Sequence, residues 1–415
     1  MKKRLVLILA YVFVDVLGFT LILPLLPFYA RTFDATPAAV GLLLGANALT
    51  QFFSAPLIGR LSDRYGRRPL LLMCLAGTVG SFLMLGLANS LWMLFLSRIL
   101  DGLLGGDISL AQAYITDITG ERDRAKGLGL IGAAFGIGFI FGPALGGVLS
   151  AGDNYARPAF AAAALALVNL VGVLLMLPES LPPEERKNRV QSPATAVTAR
   201  ALWEALRRPC VGPLLNYRLW FGLAFTMFQT IFALFVQIRL GLNARTTSYV
   251  LTYVGVVIAA VQGGGIALLT RRYGDKQLIF AGTIGLSLAL LAWAFVPSVW
   301  FLLVVQIPIA LSAGVLGVVS SSALTKSVYR EEVGGTLGLS AALDSLTRVV
   351  SPTLGGLLIG RLGAPAPGVL GALIMAGLIA FTWRRILFVP DLECPPPAAD
   401  VLPHLPYLSG NSEAS

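Results

Sequence analysis

The feature that most limits what this chain can become is a short charged island, Gly59-Arg60-Leu61-Ser62-Asp63-Arg64-Tyr65-Gly66-Arg67-Arg68-Pro69, set between two apolar runs. One run extends from Val40 to Ile58, the other from Leu70 to Ala88. A helix of about 20 residues crosses a bilayer, so each run is long enough to span one. The island is then a tight turn at the membrane surface. Gly66 suits a turn or helix end that needs positive φ, and Pro69 can start the next helix, where its missing N–H costs nothing.

The rest of the chain repeats this alternation. Apolar segments lie near 5–29, 39–59, 70–88, 91–116, 125–150, 158–178, 212–238, 247–269, 277–296, 299–325, 334–360 and 367–388, twelve in all. With 56% hydrophobic and 13% charged residues and a mean hydropathy of +0.79, 415 residues cannot hide this much apolar surface as a soluble domain. The class is an all-α, multi-pass membrane protein. An even number of spans puts both ends on one face. That face holds 23 Lys and Arg, the opposite face holds five, and Arg98, Arg218 and Arg348 lie within segments. The asymmetry places both ends in the cytoplasm, as expected for a bacterial inner membrane. Leu5–Pro27, after Met1-Lys2-Lys3-Arg4, reads as a retained first helix, being too long for a cleaved leader.

The net charge of +10 is spread over loops rather than gathered in a patch, which argues against nucleic acid as a partner. Cys74, Cys210 and Cys394 have no metal-ligand or disulfide spacing, and His404 reads as solvated. No cofactor or metal is expected, and the absence of a Walker loop argues against direct use of ATP. No nucleophile–base constellation is legible, so an enzyme is not expected.

The polar, Pro-punctuated stretch Pro178–Arg208 divides the segments six and six. The expected organisation is a six-helix bundle over 1–178, a linker over 179–211 with a short surface helix across Ala199–Arg208, a second bundle over 212–389, and a disordered tail over 390–415. The halves repeat. Asp63-Arg64-Tyr65-Gly66 lies 208 residues before Arg271-Arg272-Tyr273-Gly274, and the Gly142-Pro143-Ala-Leu-Gly146-Gly147 run lies 209 before Ser351-Pro352-Thr-Leu-Gly355-Gly356. Gly129 likewise matches Gly338. Two homologous bundles imply a cavity between them that opens alternately to each side.

These residues carry a family resemblance over all twelve segments. Asp15-Val-Leu-Gly18 with Leu23-Pro24-Leu-Leu-Pro27, the island Gly59–Arg68, Arg98-Ile-Leu-Asp101-Gly102, Asp117-Ile-Thr and Gly138-Phe-Ile-Phe-Gly142-Pro143-Ala-Leu-Gly146-Gly147 resemble the major facilitator superfamily, and within it the tetracycline-efflux type of drug:proton antiporters. The resemblance implies a secondary active transporter of a small-molecule substrate, coupled to protons, in contact with membrane lipid and monomeric. It also marks the fifth-segment glycine-proline run as an antiporter signature. As the family is known, it carries acids in its third and ninth helices. Here the third reads Gly77-Thr-Val-Gly80-Ser81 and the ninth has none, a departure that bears on tetracycline as the substrate. The alternatives are a proton-coupled symporter or facilitator of a sugar or organic solute, and a non-transporting receptor or scaffold on the same fold.

Charges within apolar segments rarely persist without a partner or a task. Asp15 is an isolated carboxyl midway along the first segment. The resemblance places it in the cavity for proton or substrate coupling; the alternative is a hydrogen bond to a neighbouring helix. Arg98 and Asp101 are three apart, share one face and can pair. The resemblance gives this Arg a part in proton transfer, against a purely structural ion pair. Asp107 is nine residues past Arg98, about 180° away on an ideal helix, and lines the cavity only if the segment bends at Gly102, Gly105 and Gly106. Asp344 and Arg348, four apart, are expected to pair with each other or to contact substrate. Arg218 is expected to snorkel to the surface. Asn47, Gln51, Gln112, Gln229, Gln262 and Gln306 are uncharged candidates for the cavity wall. Phe225, Phe228, Phe232 and Phe235 follow helical spacing and read as packing before they read as a stacking site for a drug.

The island has an expected mechanical role. Asp63 would cap or pair at a helix end, and Arg60, Arg64, Arg67 and Arg68 would reach lipid or neighbouring acids, latching the halves in the outward-facing state. The small faces of Gly138, Gly142, Gly146 and Gly147, with Pro143, would let the fifth helix approach its neighbours closely and seal the path against leak.

Overall fold

A computed structural model describes residues 2–119, 121–150, 152, 154–182, 186, 199–208, 211–262, 266–328 and 332–387. Cys210, Cys394, His404, most of the linker and the tail 390–415 lie outside the described residues.

Twelve spanning helices follow one another. They are α1 (Lys2–Ile22, resumed as Leu26–Arg31), α2 (Pro37–Tyr65), α3 (Arg67–Gly86), α4 (Leu91–Leu103, resumed as Asp107–Ile118), α5 (Glu121–Leu149) and α6 (Ala156–Met176). After a short helix over Ala199–Arg207 come α7 (Gly212–Leu240), α8 (Ala244–Ala260, resumed as Ile266–Arg272), α9 (Asp275–Ala294), α10 (Val299–Lys326), α11 (Val333–Leu362) and α12 (Ala366–Thr382, with a π turn over Trp383–Leu387). Among the described residues, nine spans meet length and hydropathy together. Of the remaining spans, α4 is interrupted, α11 is diluted by Asp344, Arg348 and its serines and threonines, and α8 is described in two parts.

The charged island is not an extended turn. α2 continues through Tyr65 and α3 starts at Arg67, so the reversal rests on Gly66 alone, at φ 105°. Helical backbone need not stop where hydrocarbon stops, because charged side chains on the protruding turns reach water or each other. Pro69 sits in the first turn of α3, as its missing donor requires.

Packing repeats between the halves with a six-helix offset. α1 lies on α5 and α6 as α7 lies on α11 and α12; α3 lies on α6 as α9 lies on α12; α2 lies on α4 as α8 lies on α10. The core of the second bundle gathers on Trp293, which is fully buried. Phe228, Phe232 and Phe235 surround its ring at 4.9, 6.5 and 4.0 Å between centroids. These phenylalanines are packing residues, because consecutive turns of α7 face α9.

Among the described residues the two bundles meet mainly along α2–α11 and α5–α8, with smaller contacts of α7 against α1 and α2. Near the start of α2, Gly41 sits against the Pro352 carbonyl and Gly356, and Gly45 against Thr353 and Val349. Gly147 abuts Arg245 and Ser248, and Gly255 abuts Phe139 and Ile140. Toward the end of α2 and the beginnings of α5 and α11, the picture inverts. A side-chain carbon at Gly59, Gly129, Gly132, Gly136, Gly334, Gly335 or Gly338 would meet nothing within 4 Å. The halves therefore diverge toward the face that carries Lys2, the island and Leu387, and enclose a cleft open to that basic face.

Candidate functional site

The first bundle holds a polar cluster at mid-depth, built around a break in α4. Helix geometry fails over Leu104–Gly106, where the chain carries two adjacent glycines. A broken spanning helix must find new partners for its freed carbonyls, since lipid offers none. Here α2 supplies them: Ser54 Oγ donates to the Gly102 carbonyl at 2.7 Å and Gln51 Nε2 to the Gly105 carbonyl at 2.8 Å. One turn away, Asn47 Nδ2 donates to Asp101 Oδ2 at 2.8 Å. Asn47, Gln51 and Ser54 thus form one stripe of α2 at helical spacing.

Arg98 and Asp101 do pair, at 3.4 Å, and both are buried. Arg98 also donates to Ser81 Oγ at 3.1 Å and lies 5.7 Å from the Phe82 ring centroid. A cavity of about 40 Å³, lined by Phe19, Leu23, Leu44, Asn47 and Arg98 among others, opens beside this pair. The break turns Asp107 away from the direction an ideal helix would give it. Asp107 opens the second part of α4, where the helix dipole favours an acid. It lies beside Tyr11 and Cys74 and within electrostatic range of Asp15 and Asp101. Asp107 Oδ1 and the Tyr11 hydroxyl are buried without a hydrogen-bond partner among the described residues. Of the three carboxyls, Asp101 alone is within ion-pair distance of a guanidinium among the described residues, so Asp15 and Asp107 are the groups placed to take up protons or a cation. Asp15 is half-buried, and Gln112, on the second part of α4, is exposed.

At the basic face the island is tied down within its own bundle. Arg67 is buried, with Nε 3.1 Å from Asp117 Oδ2, Nη2 2.6 Å from Asp63 Oδ1, and a third bond to Ser62 Oγ. Glu179, beyond α6, accepts from the backbone N–H of Arg67 at 2.9 Å and Arg68 at 3.2 Å, capping α3. Arg186 joins Glu179 at 3.4 Å and donates to the Tyr65 carbonyl. Arg68 donates to the Leu174 carbonyl at 2.5 Å, and Arg64 stands over the Tyr65 ring. The partners of Arg67 and Arg68 named here all belong to the first bundle, and Arg60 is exposed. Asp63, expected to cap or pair at a helix end, pairs with Arg67.

The second bundle repeats this tie with its charges exchanged. Asp275 stands 208 residues after Arg67, and Lys326 stands 209 after Asp117. They pair at 2.7 Å, with Ser322 3.3 Å from the same carboxylate oxygen. The first pair is buried, at 5% and 3% side-chain exposure, whereas Lys326 is 68% exposed.

The expected Asp344–Arg348 pair does not form. Arg218 reaches Asp344 from α7 with Nε and Nη2 at 3.1 and 2.8 Å, and donates to Ser321 Oγ at 2.6 Å. A planar guanidinium that can bridge both carboxylate oxygens across two helices outcompetes a neighbour on the same helix. Arg218 consequently does not snorkel, and Arg348 is exposed. Gln229 and Gln262 are exposed, whereas Gln306 is buried.

α5 runs through Pro143 as one helix, and its glycines face α1 and α8. A side-chain carbon at Gly142 would fall on Thr20, one at Gly146 on the Leu21 carbonyl, and one at Gly138 within 2.6 Å of Val16. Thr20 Oγ1 donates to the Gly138 carbonyl at 2.9 Å, joining the two helices where they are closest. Sequence reasoning missed Ser54, Tyr11, Glu179 and the partner of Asp344, because each works through a contact far away in the chain.

A model of the Major Facilitator Superfamily matches residues 8–268 and 221–400. The class C tetracycline resistance protein of Escherichia coli is 33% identical over 85% of this chain and 89% of its own. Multidrug resistance protein 2 of Bacillus subtilis is 28% identical over 86% of this chain and 89% of its own. Among solved structures, a bacterial homologue of the human lysosomal transporter Spinster, in an inward-facing and occupied conformation, superposes with a TM-score of 0.77. It is 15% identical and covers 93% of this chain and 98% of its own.

Proposed function

Since the chain belongs to the Major Facilitator Superfamily, and is thus a multi-pass membrane transporter of small molecules, we propose that it exports an amphipathic compound in exchange for protons. The observation that carries this reading is the cluster of Asp15, Asp101 and Asp107 around the break in α4, with Arg98 paired to Asp101. Asp101 is held by Arg98, and in this reading the exchangeable protons reside on Asp15 and Asp107. A compound that enters the cleft brings a basic or polar group against Asp15 or Asp107, that carboxyl ionises against it, and its proton leaves. Reprotonation from the other side resets the carrier.

Both ends of the chain are cytoplasmic in this reading, in a bacterial inner membrane, and the unit is a monomer. The cleft then faces the cytoplasm, the state in which an exporter loads. The glycine face of α5 against α1 and α8 serves as the seal, and the Arg67–Asp117–Glu179 tie keeps the α2–α3 corner rigid while the bundles rock. Tetracycline-like and other drugs are the first compounds to try, because two relatives carry tetracycline and multidrug resistance in their names.

The test uses inside-out vesicles acidified within, with a dye for internal pH. Adding a transported drug should raise the internal pH, and Asp15→Asn should abolish that rise. Drug uptake with no proton movement, or an unchanged rise in Asp15→Asn, would overturn the coupling.

A further inference from the structure

We propose that Arg348 is an anion seat in the wall of the cleft, and that compounds carried by this protein present an acidic group to it. The inference rests on the transport reading for the word carried; the seat itself stands on geometry.

Arg348 lies at the midpoint of α11, a helix of 30 residues. From there its side chain cannot reach either membrane surface. Its direction is fixed by its neighbours. Thr347 packs against Gly222 of α7, and Val349 meets Gly45 of α2, so Arg348 emerges between two contact faces. The opposite side of α11 is lipid-facing. Leu346, Val350 and Leu357 are exposed and apolar, and at ~100° per residue they stand ~160–180° from Arg348. Arg348 therefore points into the cleft, on the same side as Asp344 at ~40° away.

The obvious counter-ion is not free. Asp344 is held by both nitrogens of the Arg218 fork, and Ser321 takes a third. Arg348 forms no hydrogen bond or ion pair among the described residues, and it is exposed. The intramembrane charge of the second bundle is thus +1, with Arg348 as the surplus. In the open cleft, water solvates it. When the bundles close over a bound compound, that water leaves, and an unpaired guanidinium at mid-depth is strongly disfavoured. A carboxylate, sulfonate or enolate on the compound resolves this with two parallel N–H···O bonds. A purely cationic compound would bury like charges together.

The seat and the acid cluster lie in different bundles, which separates the site of the compound's acidic group from the site of the proton. Such a compound would carry its apolar body across the cleft toward α1 and α4.

The test uses purified full-length protein in a neutral detergent and three probes of one shape: 2-naphthoate, 2-naphthamide and naphthylmethylammonium. Binding is read as the ligand-dependent shift in unfolding temperature, for the native chain, Arg348→Gln and Arg348→Lys. Naphthoate should bind the native protein ~10-fold or more tightly than naphthamide, the range expected for a charge-assisted pair. The ratio should fall to about 1 in Arg348→Gln and be partly retained in Arg348→Lys. A ratio near 1 in the native protein would overturn the seat, and so would a ratio that survives Arg348→Gln. Since Arg348 holds no partner, both variants should unfold at the native temperature without probe. A naphthoate preference without drug-driven proton movement in vesicles would refute the transport reading and leave the seat. Proton movement without the preference would do the reverse.

Discussion

Replacing Arg67 by Leu tests how the island is held. Arg67 and Asp117 are both nearly inaccessible, at 5% and 3% side-chain exposure and 3.1 Å apart. Removing the guanidinium takes from the buried Asp117 carboxylate its cation at 3.1 Å, with Ser180 Oγ, at 3.2 Å, among the partners that remain. Breaking a buried pair by removing one member costs about 3–5 kcal/mol, whereas exchanging both members for apolar residues is often neutral or better. At about 2–4 °C per kcal/mol for a unit the size of one bundle, Arg67→Leu should lower the unfolding temperature by roughly 6–20 °C. The double variant Arg67→Leu/Asp117→Leu should recover most of that loss, apart from the bonds Arg67 makes to Asp63 and Ser62. The repeat provides an internal control. Lys326→Leu removes the equivalent cation of the second bundle, but Lys326 is 68% exposed and the pair is worth about 0–1 kcal/mol. It should shift the transition by no more than about 2–4 °C. The assay is thermal unfolding of the purified protein in detergent, followed by intrinsic fluorescence at one scan rate. A double variant as unstable as Arg67→Leu, or a Lys326→Leu loss equal to it, would refute the reasoning from burial.

Three further outcomes follow from the same geometry. Gly142→Leu should prevent α1 and α5 from closing and abolish transport, whereas Gly129→Ala, with open space around it, should leave transport in vesicles intact. Ser54→Ala should cost about 0.5–1.5 kcal/mol by removing one of the two donors to the Gly102 carbonyl, which keeps the Gly105 N–H at 3.2 Å; the loss is read as a lower unfolding temperature, and an unchanged temperature would mean that the Ser54 bond adds nothing. Arg218→Leu should destabilise by only about 0–1 kcal/mol, because the Asp344 side chain is 37% exposed and stays solvated in the open cleft; a drop in unfolding temperature as large as that of Arg67→Leu would contradict this.

Much of the fold was legible because spanning helices announce themselves locally. Segment length, the loop charges and the glycine at 66 each act within a few residues, and they led to twelve helices, a six-and-six division and a positive-φ turn. The break in α4 was half legible: Gly105 and Gly106 marked a weak point, but only the donors Gln51 and Ser54 on α2 make an interruption tolerable there. The α4 segment was therefore read with a bend at these glycines as one alternative, which left the side of Asp107 open. Asp344 shows the limit most plainly. A partner four residues away on the same helix is visible in sequence, whereas Arg218, which holds it, is 126 residues distant. Glu179 looked like the start of a linker, since nothing local shows that the backbone donors of α3 lie beside it. The exchanged charges of Arg67–Asp117 and Asp275–Lys326 could have been found by extending the 208-residue repeat past Gly66 and Gly274.

The central claim is that a compound entering the cleft expels a proton from the carboxyls around the α4 break. It is tested most directly by counting protons on binding. Purified protein in weakly buffered detergent is mixed with a transported drug, and the pH of the solution is followed with a soluble indicator. The account predicts proton release that saturates with drug binding and is diminished in Asp15→Asn and in Asp107→Asn. Saturable binding with no proton release in the native protein, or release that both variants retain in full, would contradict it.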